Sequence, residues 1–547
     1  VGRARAPEPV GEAGATNFMN EIMLIIDGHE ANASIGASIF ECAESINVTV
    51  PTSCFKQGKC RECLVEIEEG AELLTDLTPQ ESHLGGRFRL ACRTRFAQSG
   101  EVRCHTLRRG SLRIETETSG LQDQWNSDFQ PTNHFGEHPT AYHGIAIDIG
   151  TTTVALRLYD LRNAHLIATQ SFENPQRFGG SDIMARIHFD GTNRGRLLQR
   201  TLLGYLTRAI SALPIDPATI SEMVVVGNPT MRDLFFGLDV QTIGVMPYRS
   251  LTEAALSEGR AQTTSLNIEA RKLRLPLHPD ARIYGAPLIG SHVGADAAAC
   301  LMATGIANGD EICAILDIGT NTEAIIGNRH RLIAASCPAG PAFEGGGVLF
   351  GMPALDGAIE RIRLNGNSVE TTVVGNCEPA GICGSGLVDL LSELLRTGRM
   401  NEQGRFSDEG EPIMVDSSHD IFLSEADVNE LAQAKGANAA GLRVLAETYG
   451  IAMSQIDRLY LAGGFSRHLD VDASCRIGLV PDLSREKIQK VGNAALEGAS
   501  MILLCIPYRE RLEKLVKRVE HVRLETSPHF FDFFVEGCQF ESFGSSE

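Results

Sequence analysis

Basic residues are scarce: 49 Lys and Arg stand against 69 Asp and Glu, a formal charge of -20. That deficit excludes general binding to nucleic acid or to an anionic membrane surface, because both depend on neutralising phosphates with Lys and Arg. Long apolar runs are missing too. A bilayer span needs about 20 apolar residues, and the two best stretches, Ala297 to Met302 and Ser500 to Ile506, are short and interrupted. The start of the chain shows no basic n-region followed by an apolar h-region, so the 14 cysteines are not expected to form the disulfide framework of a secreted protein. The expected compartment is the reducing cytoplasm, and the expected partners are proteins or small molecules, with neither nucleic acid nor membrane among them.

What is present is a chain of 547 residues, too long for one hydrophobic core, with 43% apolar residues and 55 glycines. That composition suits a multidomain α/β protein with many strand-to-helix turns. Residues 1–18, rich in Ala, Gly, Pro and Arg and without an initiator Met, read as a disordered lead-in. Residues 19–106 alternate as hairpin, helix, cysteine loop and strand, the pattern of a small β-rich domain. Residues 107–142 are polar, Pro-containing and aperiodic, and read as a linker with one short strand over 111–116.

The chain then repeats itself. GIAIDIGTTTVALRLYD carries Asp148, Gly150, Thr151, Thr152 and Thr153, and CAILDIGTNTEAIIGN carries Asp317, Gly319, Thr320, Asn321 and Thr322. Each copy is followed by an apolar strand ending in a glycine turn, MVVVGNPT at 223–230 and LYLAGGFS at 459–466. Two α/β lobes of related design, 143–309 and 310–547 with a C-terminal extension, are the economical reading. A strand that ends in Asp and turns through Gly-Thr-Thr offers successive N–H groups and hydroxyls to an anion. One such turn is weak evidence, since Asp-x-Gly is a common hairpin. Two facing each other can clamp a triphosphate, with Asp148 and Asp317 placed to hold a hydrated Mg2+ or to orient water.

Cys54, Cys60, Cys63 and Cys92 have the spacing of five, two and 28 intervening residues. This resembles the plant-type ferredoxin signature with one residue more in the first gap, and points to a 2Fe-2S cluster. A four-cysteine zinc site and unliganded thiols remain the alternatives. Cys42 and Cys104 fall outside the ligand spacing and read as small core hydrophobes. Cys337, Cys377 and Cys383 match no ferredoxin pattern.

DIGTTT, DIGTNTE and LAGGFSRHLD resemble the two phosphate motifs and the adenosine motif of the actin, sugar-kinase and heat-shock-chaperone ATPases. Together with the N-terminal cysteines they resemble the reductive activators of corrinoid proteins. Further marks are NPQRFGGSDIMARI, GNPTMRDLFFG, CPAGPAFEGGG and GICGSGLVDLL. The resemblance implies a β-grasp ferredoxin-like domain, then two ribonuclease-H-like lobes of the actin-like ATPase fold. It implies phosphate contacts from Gly150 to Thr153 and Gly319 to Thr322, and an adenosine turn at Gly463, Gly464 and Phe465. It also implies close backbone approach at Gly346 and Gly347. Glu323 and Glu344 are candidates to orient the attacking water, with a structural carboxylate as the alternative for each. The implied function is ATP-dependent electron delivery from the cluster to a Co(II) corrinoid protein, restoring Co(I) for a methyltransferase system. An upstream electron donor and a homodimer are implied as well. A different low-potential metalloenzyme as acceptor, a small-molecule kinase with a regulatory cluster domain, and a nucleotide-gated binding module are the other readings.

Overall fold

The computed structural model describes residues 22–48, 50, 56, 58, 63–107, 141–193, 195–366, 368–407, 411–464 and 466–544. The lead-in, nearly all of the linker with its expected strand at 111–116, Cys54, Cys60 and Phe465 lie outside the described residues. Two compact units divide the chain after Leu107.

In the first unit, β1 (Ile22–Ile26) and β2 (His29–Ala33) form a hairpin, followed by α1 (Ile39–Ser45), β3 (Leu64–Glu69), β4 (Phe88–Leu90) and β5 (Gly100–Thr106). The sheet order is β2-β1-β5-β3-β4, with β1 and β5 parallel, which is the β-grasp arrangement. Ile22, Leu24 and Ile26 alternate inward along β1, as a half-buried strand requires. Helix α1 starts at a capping box in which Ser38 and Glu41 each bond the other's backbone N–H. Its Ile39, Phe40 and Cys42 are buried, and Cys104 is 3% exposed, so both non-ligand cysteines pack as small apolar groups. Glu81, fully buried, accepts from Arg89 Nε at 3.0 Å and from the Leu90 N–H at 2.9 Å, which fixes the strand leading to Cys92.

The second unit opens with β6 (His143–Ile149), β7 (Thr153–Asp160), β8 (His165–Glu173), α2 (Ile183–Thr192), α3 (Leu197–Ser211), β9 (Ile220–Gly227), α4 (Pro229–Phe236), α5 (Leu251–Ser257), β10 (Leu266–Glu269), β11 (Arg282–Gly285) and α6 (Ala295–Thr304). It continues with β12 (Cys313–Asp317), β13 (Thr322–Gly327), β14 (Leu332–Cys337), β15 (Ala358–Asn365), β16 (Ser368–Val373), β17 (Gly381–Ile382), α7 (Gly384–Arg396), β18 (Ile413–Asp416), β19 (Ile421–Leu423) and α8 (Glu425–Tyr449). It ends with β20 (Arg458–Ala462), α9 (Val471–Arg476), β21 (Ile488–Gly492), α10 (Ala494–Leu504), α11 (Ile506–Val516), β22 (Val519–His521) and α12 (Phe530–Gly537).

The duplication in the sequence is a duplication of sheets. One runs β10-β11-β9-β6-β7-β8 and the other β21-β20-β12-β13-β14-β22. In each, the Asp-bearing strand is antiparallel to the strand after its turn and parallel to a strand far along the chain: β6 to β9, and β12 to β20. Helices α6 and α10, apolar on nearly every side, share one core with residues of both sheets, which is how the two best apolar stretches of the sequence are used. A fully buried ion pair, Arg157 Nη1 to Glu497 Oε2 at 2.5 Å, ties β7 to α10. Near the C-terminus β22 pairs with β14 and α12 packs on α8. Among the described residues no helix is long and apolar enough to cross a membrane.

Candidate functional site

Strands β3 and β4 pair with Leu64 opposite Leu90, and the Ala91 N–H donates to the Cys63 carbonyl at 2.8 Å. This register brings Cys63, just before β3, beside Cys92, just after β4. Their sulfurs are 3.2 Å apart, at 0% and 5% exposure. Two thiols enclosed side by side fit two of the four ligands of a 2Fe-2S cluster.

In the second unit both Asp-Ile-Gly turns open on one cavity of about 110 Å³, lined by Asp148, Gly150, Thr151, Thr152 and Thr153 on one side. Asp317, Gly319, Thr320, Asn321, Glu323, Glu344, Gly463 and Gly464 line the other. The turns touch: Thr152 Oγ1 and Thr320 Oγ1 are 2.9 Å apart, and both hydroxyls donate to Glu344 Oε2, the first at 2.8 Å. Glu323 stands across the ladder from Asp317 and accepts from Ser336 Oγ at 3.3 Å. Gly463 has φ +102, and a Cβ there would come within 2.3 Å of the Ile318 carbonyl oxygen, so only glycine lets this turn pass beneath the second hairpin.

Thr322, Gly346 and Gly347 do not line this cavity. Thr322 is buried at the start of β13, Gly346 packs against Pro341, and Gly347 is exposed near Glu430. Polar residues assigned no part in the site from sequence also line it, Asn228, Asp296 and Asn493. Asn493 caps α10 with its Oδ1 while Nδ2 donates to Asp148 Oδ2 at 2.9 Å. Asn228 caps α4 in the same way and donates to Thr151 Oγ1 at 3.0 Å. The signal for both was a shared Val-Gly-Asn, 226–228 and 491–493, where a buried strand gives way to a helix.

The carboxylates crowd one another. Burial pushes Asp148 up to about 7 against the pull of the Asn493 amide. Asp296 is raised by burial and then by the charge of Asp148, and burial also raises Asp317, Glu323 and Glu344. Such a group calls for a cation. Mg2+, a cation that keeps several waters and takes part of its shell from phosphate oxygens, suits carboxylates placed this way.

Three family models match the chain in order: a 2Fe-2S iron-sulfur cluster binding domain over residues 24–97, the RACo middle region over 143–309, and the C-terminal ASKHA domain of RACo over 311–546. The chain belongs to the RACo family. It is 27% identical to the corrinoid activation enzyme RamQ of Eubacterium limosum, over 93% of this chain and 97% of that protein. It is 25% identical to the [Co(II) methylated amine-specific corrinoid protein] reductase of Methanosarcina barkeri, over 72% and 76% of the two chains. A solved structure of a reductive activator for corrinoid, iron-sulfur protein aligns with a TM-score of 0.68 at 26% identity, covering 95% of this chain and 99% of that one. As a RACo-family chain it has a 2Fe-2S cluster as its redox group and ATP with Mg2+ as its nucleotide ligand. Its two lobes are those of the actin-like ATPase fold.

A second cavity of about 270 Å³ shares Thr152, Thr153, Glu344 and Gly464 with the first. Its remaining wall in this RACo-family chain is largely apolar, from Phe343, Met352, Pro353 and Val374, with the N-terminus of α7 at Gly384 and Ser385 and the side chains of Glu360 and His468 as its polar part.

Proposed function

We propose that this chain reductively activates a corrinoid protein, returning inactive Co(II) to Co(I) for a methyltransferase system, with ATP hydrolysis coupled to the electron transfer. The observation that carries the reading is the meeting of Thr152 and Thr320, one from each phosphate hairpin, on the single carboxylate of Glu344. The RACo family match and the Cys63–Cys92 pair in the same chain support it.

When bound by Cys54, Cys60, Cys63 and Cys92, the cluster supplies one electron. An acceptor of lower potential opposes that transfer by about 2.3 kcal/mol per electron for each 100 mV of mismatch. Nucleotide can help only by binding one conformation of the pair of lobes better than another. Asp148, Asp296 and Asp317 would hold a hydrated Mg2+, and the backbone of Gly150 to Thr153 and Gly319 to Asn321 would take the phosphates. Terminal phosphate oxygens then compete with Glu344 for the hydroxyls of Thr152 and Thr320. Displacing that carboxylate alters how the two lobes meet, a hinge movement the corrinoid protein can sense. Glu344 or Glu323 orients the attacking water, and the second cavity receives the purine beside Gly463 and Gly464. An upstream reductase or ferredoxin re-reduces the chain, and the chain acts as a homodimer.

Anaerobically prepared protein tests the reading. Iron, sulfide and EPR analysis is expected to show a 2Fe-2S centre, and ATP turnover is expected to rise on adding a corrinoid protein. A colourless, zinc-loaded preparation would contradict it. So would turnover that rises with a hydroxylated or carboxylated small molecule and ignores corrinoid proteins.

A further inference from the structure

Arg186, on α2, is only 1% exposed. Its Nε donates to the Gly180 carbonyl at 3.0 Å and its Nη1 lies 3.1 Å from the Met231 sulfur. Among the described residues no carboxylate bonds to it. The acidic groups whose fields reach it are otherwise engaged: Asp182 caps α2 through the Ala185 N–H at 2.9 Å, Glu173 pairs with Arg177 at 2.6 Å, and Glu344 takes the hydroxyls of Thr152 and Thr320. A guanidinium withdrawn from water without an ion-pair partner is expensive to keep, by several kcal/mol. Burial, helped by the charge of Arg177, draws its pKa down to about 9 against the pull of Asp182, Glu344 and Glu173.

The place of this charge suggests what offsets it. The Met231 sulfur that Arg186 touches is 3.7 Å from Asn174 Nδ2, and that same nitrogen donates to the Gly150 carbonyl at 2.8 Å. The Asn174 N–H donates to the Thr152 carbonyl at 2.6 Å. Arg186 therefore stands one side-chain layer behind the first phosphate hairpin, on the carbonyl side that an anion would otherwise avoid. The carboxylates gathered around the cavity also make it hostile to a phosphate unless positive charge is set nearby.

We propose that Arg186 is a positioning residue for the terminal phosphate: a fixed positive charge behind the Gly150–Thr153 hairpin whose counter-charge arrives with a triphosphate and not with a diphosphate. The inference rests on the ATP site proposed above and deepens it, because it assigns to one residue the discrimination between ATP and ADP on which a nucleotide-gated conformation depends.

The test is the dissociation constants of MgATPγS and MgADP for the full-length chain and for Arg186→Met and Arg186→Lys. In Arg186→Met the triphosphate is expected to bind about tenfold more weakly, which corresponds to about 1.4 kcal/mol, with MgADP changed less than about threefold. Lys keeps the charge but not the planar fork, so Arg186→Lys is expected to retain most of the preference and to lose about threefold. Equal weakening of both nucleotides in either variant would mark a merely structural arginine and overturn the proposal, as would an unchanged preference in Arg186→Met. If Arg186→Met does not fold, Arg186→Gln, which also removes the charge, takes its place, and an unchanged preference there overturns the proposal. Failure of the unsubstituted chain to bind either nucleotide would instead remove the ATP site itself.

Discussion

The two hairpins that line the cavity start from the same Asp-Ile-Gly and are anchored by different chemistry. In the first, Ile149 pairs with Val154 across the turn and Ala155 lies opposite Asp148. In the second, the pairing nearest the turn is Asp317 with Glu323, which places a carboxylate where the first hairpin has a methyl group. Asp148 accepts from an amide, Asn493, whereas Asp317 accepts from a thiol, Cys300 Sγ, at 3.2 Å. The first hairpin is further held by Asn228 and Asn174. The second is held to the first through Glu344. A rigidly tied hairpin faces one whose main cross-contact is a displaceable carboxylate, which suits a clamp that must report what it holds.

The largest effects should come from the aspartates themselves. Asp148→Asn and Asp317→Asn are each expected to lower the ATP turnover number by about 10²-fold or more, since phosphoryl chemistry is mostly charge neutralisation and positioning. Turnover within twofold of the unsubstituted chain in either variant would end the idea of a symmetric pair. The anchors should separate the hairpins. Asn493→Ala leaves Asp148 without its amide donor and is expected to cost about tenfold in kcat/KM, the range of a charge-assisted hydrogen bond. Cys300→Ala removes a weak donor and should cost at most about threefold. The reverse order, measured by steady-state hydrolysis, would show that the thiol and not the amide is the critical support.

How much of this was legible beforehand differs in the same way. Both Asp-Ile-Gly turns were readable because each is a contiguous signal and the signal occurs twice. The nearness of Cys63 to Cys92 was readable because ligand spacing is set by cluster size. Asp296 was not, and the Val-Gly-Asn shared by Asn228 and Asn493 does not say where its asparagine points, because only the packing of α4, α6 and α10 brings the three to the cavity. Gly346 and Gly347 were legible as glycines but not as neighbours of Pro341 and Glu430, since a glycine run states freedom without direction. Arg186 gave no signal of its burial, because a basic residue on a helix is ordinarily a solvated one.

Smaller effects sharpen the comparison further. A Cβ at Gly150 would stand 2.8 Å from the Thr153 carbonyl oxygen, but one at Gly319 would stand 3.4 Å from that of Asn321. Gly150→Ala should therefore weaken MgATP binding by about fivefold, and Gly319→Ala by less than about twofold. Equal losses by titration would mean that the turns are equally tight in solution. The smallest effect is in pH. Asp148 is raised to about 7 and Asp317 is raised as well, so the folded nucleotide-free chain holds protons that the unfolded chain gives up near pH 4. The stability these groups contribute is present at low pH and is lost as pH rises from about 4 through 7. Mg2+ replaces those protons, so adding MgATP should raise Tm more at pH 8 than at pH 6, by a few degrees. A larger rise at pH 6 would reverse the sign of the account.

Single-turnover reduction of a Co(II) corrinoid protein by the pre-reduced chain, followed by the loss of the Co(II) EPR signal with and without MgATP, bears most directly on the coupling. Co(I) is expected to accumulate with MgATP and to fall at least about tenfold short without it, a difference of about 1.4 kcal/mol. Equal yields of Co(I) in the two arms would show that nucleotide held between the hairpins has no part in moving the electron.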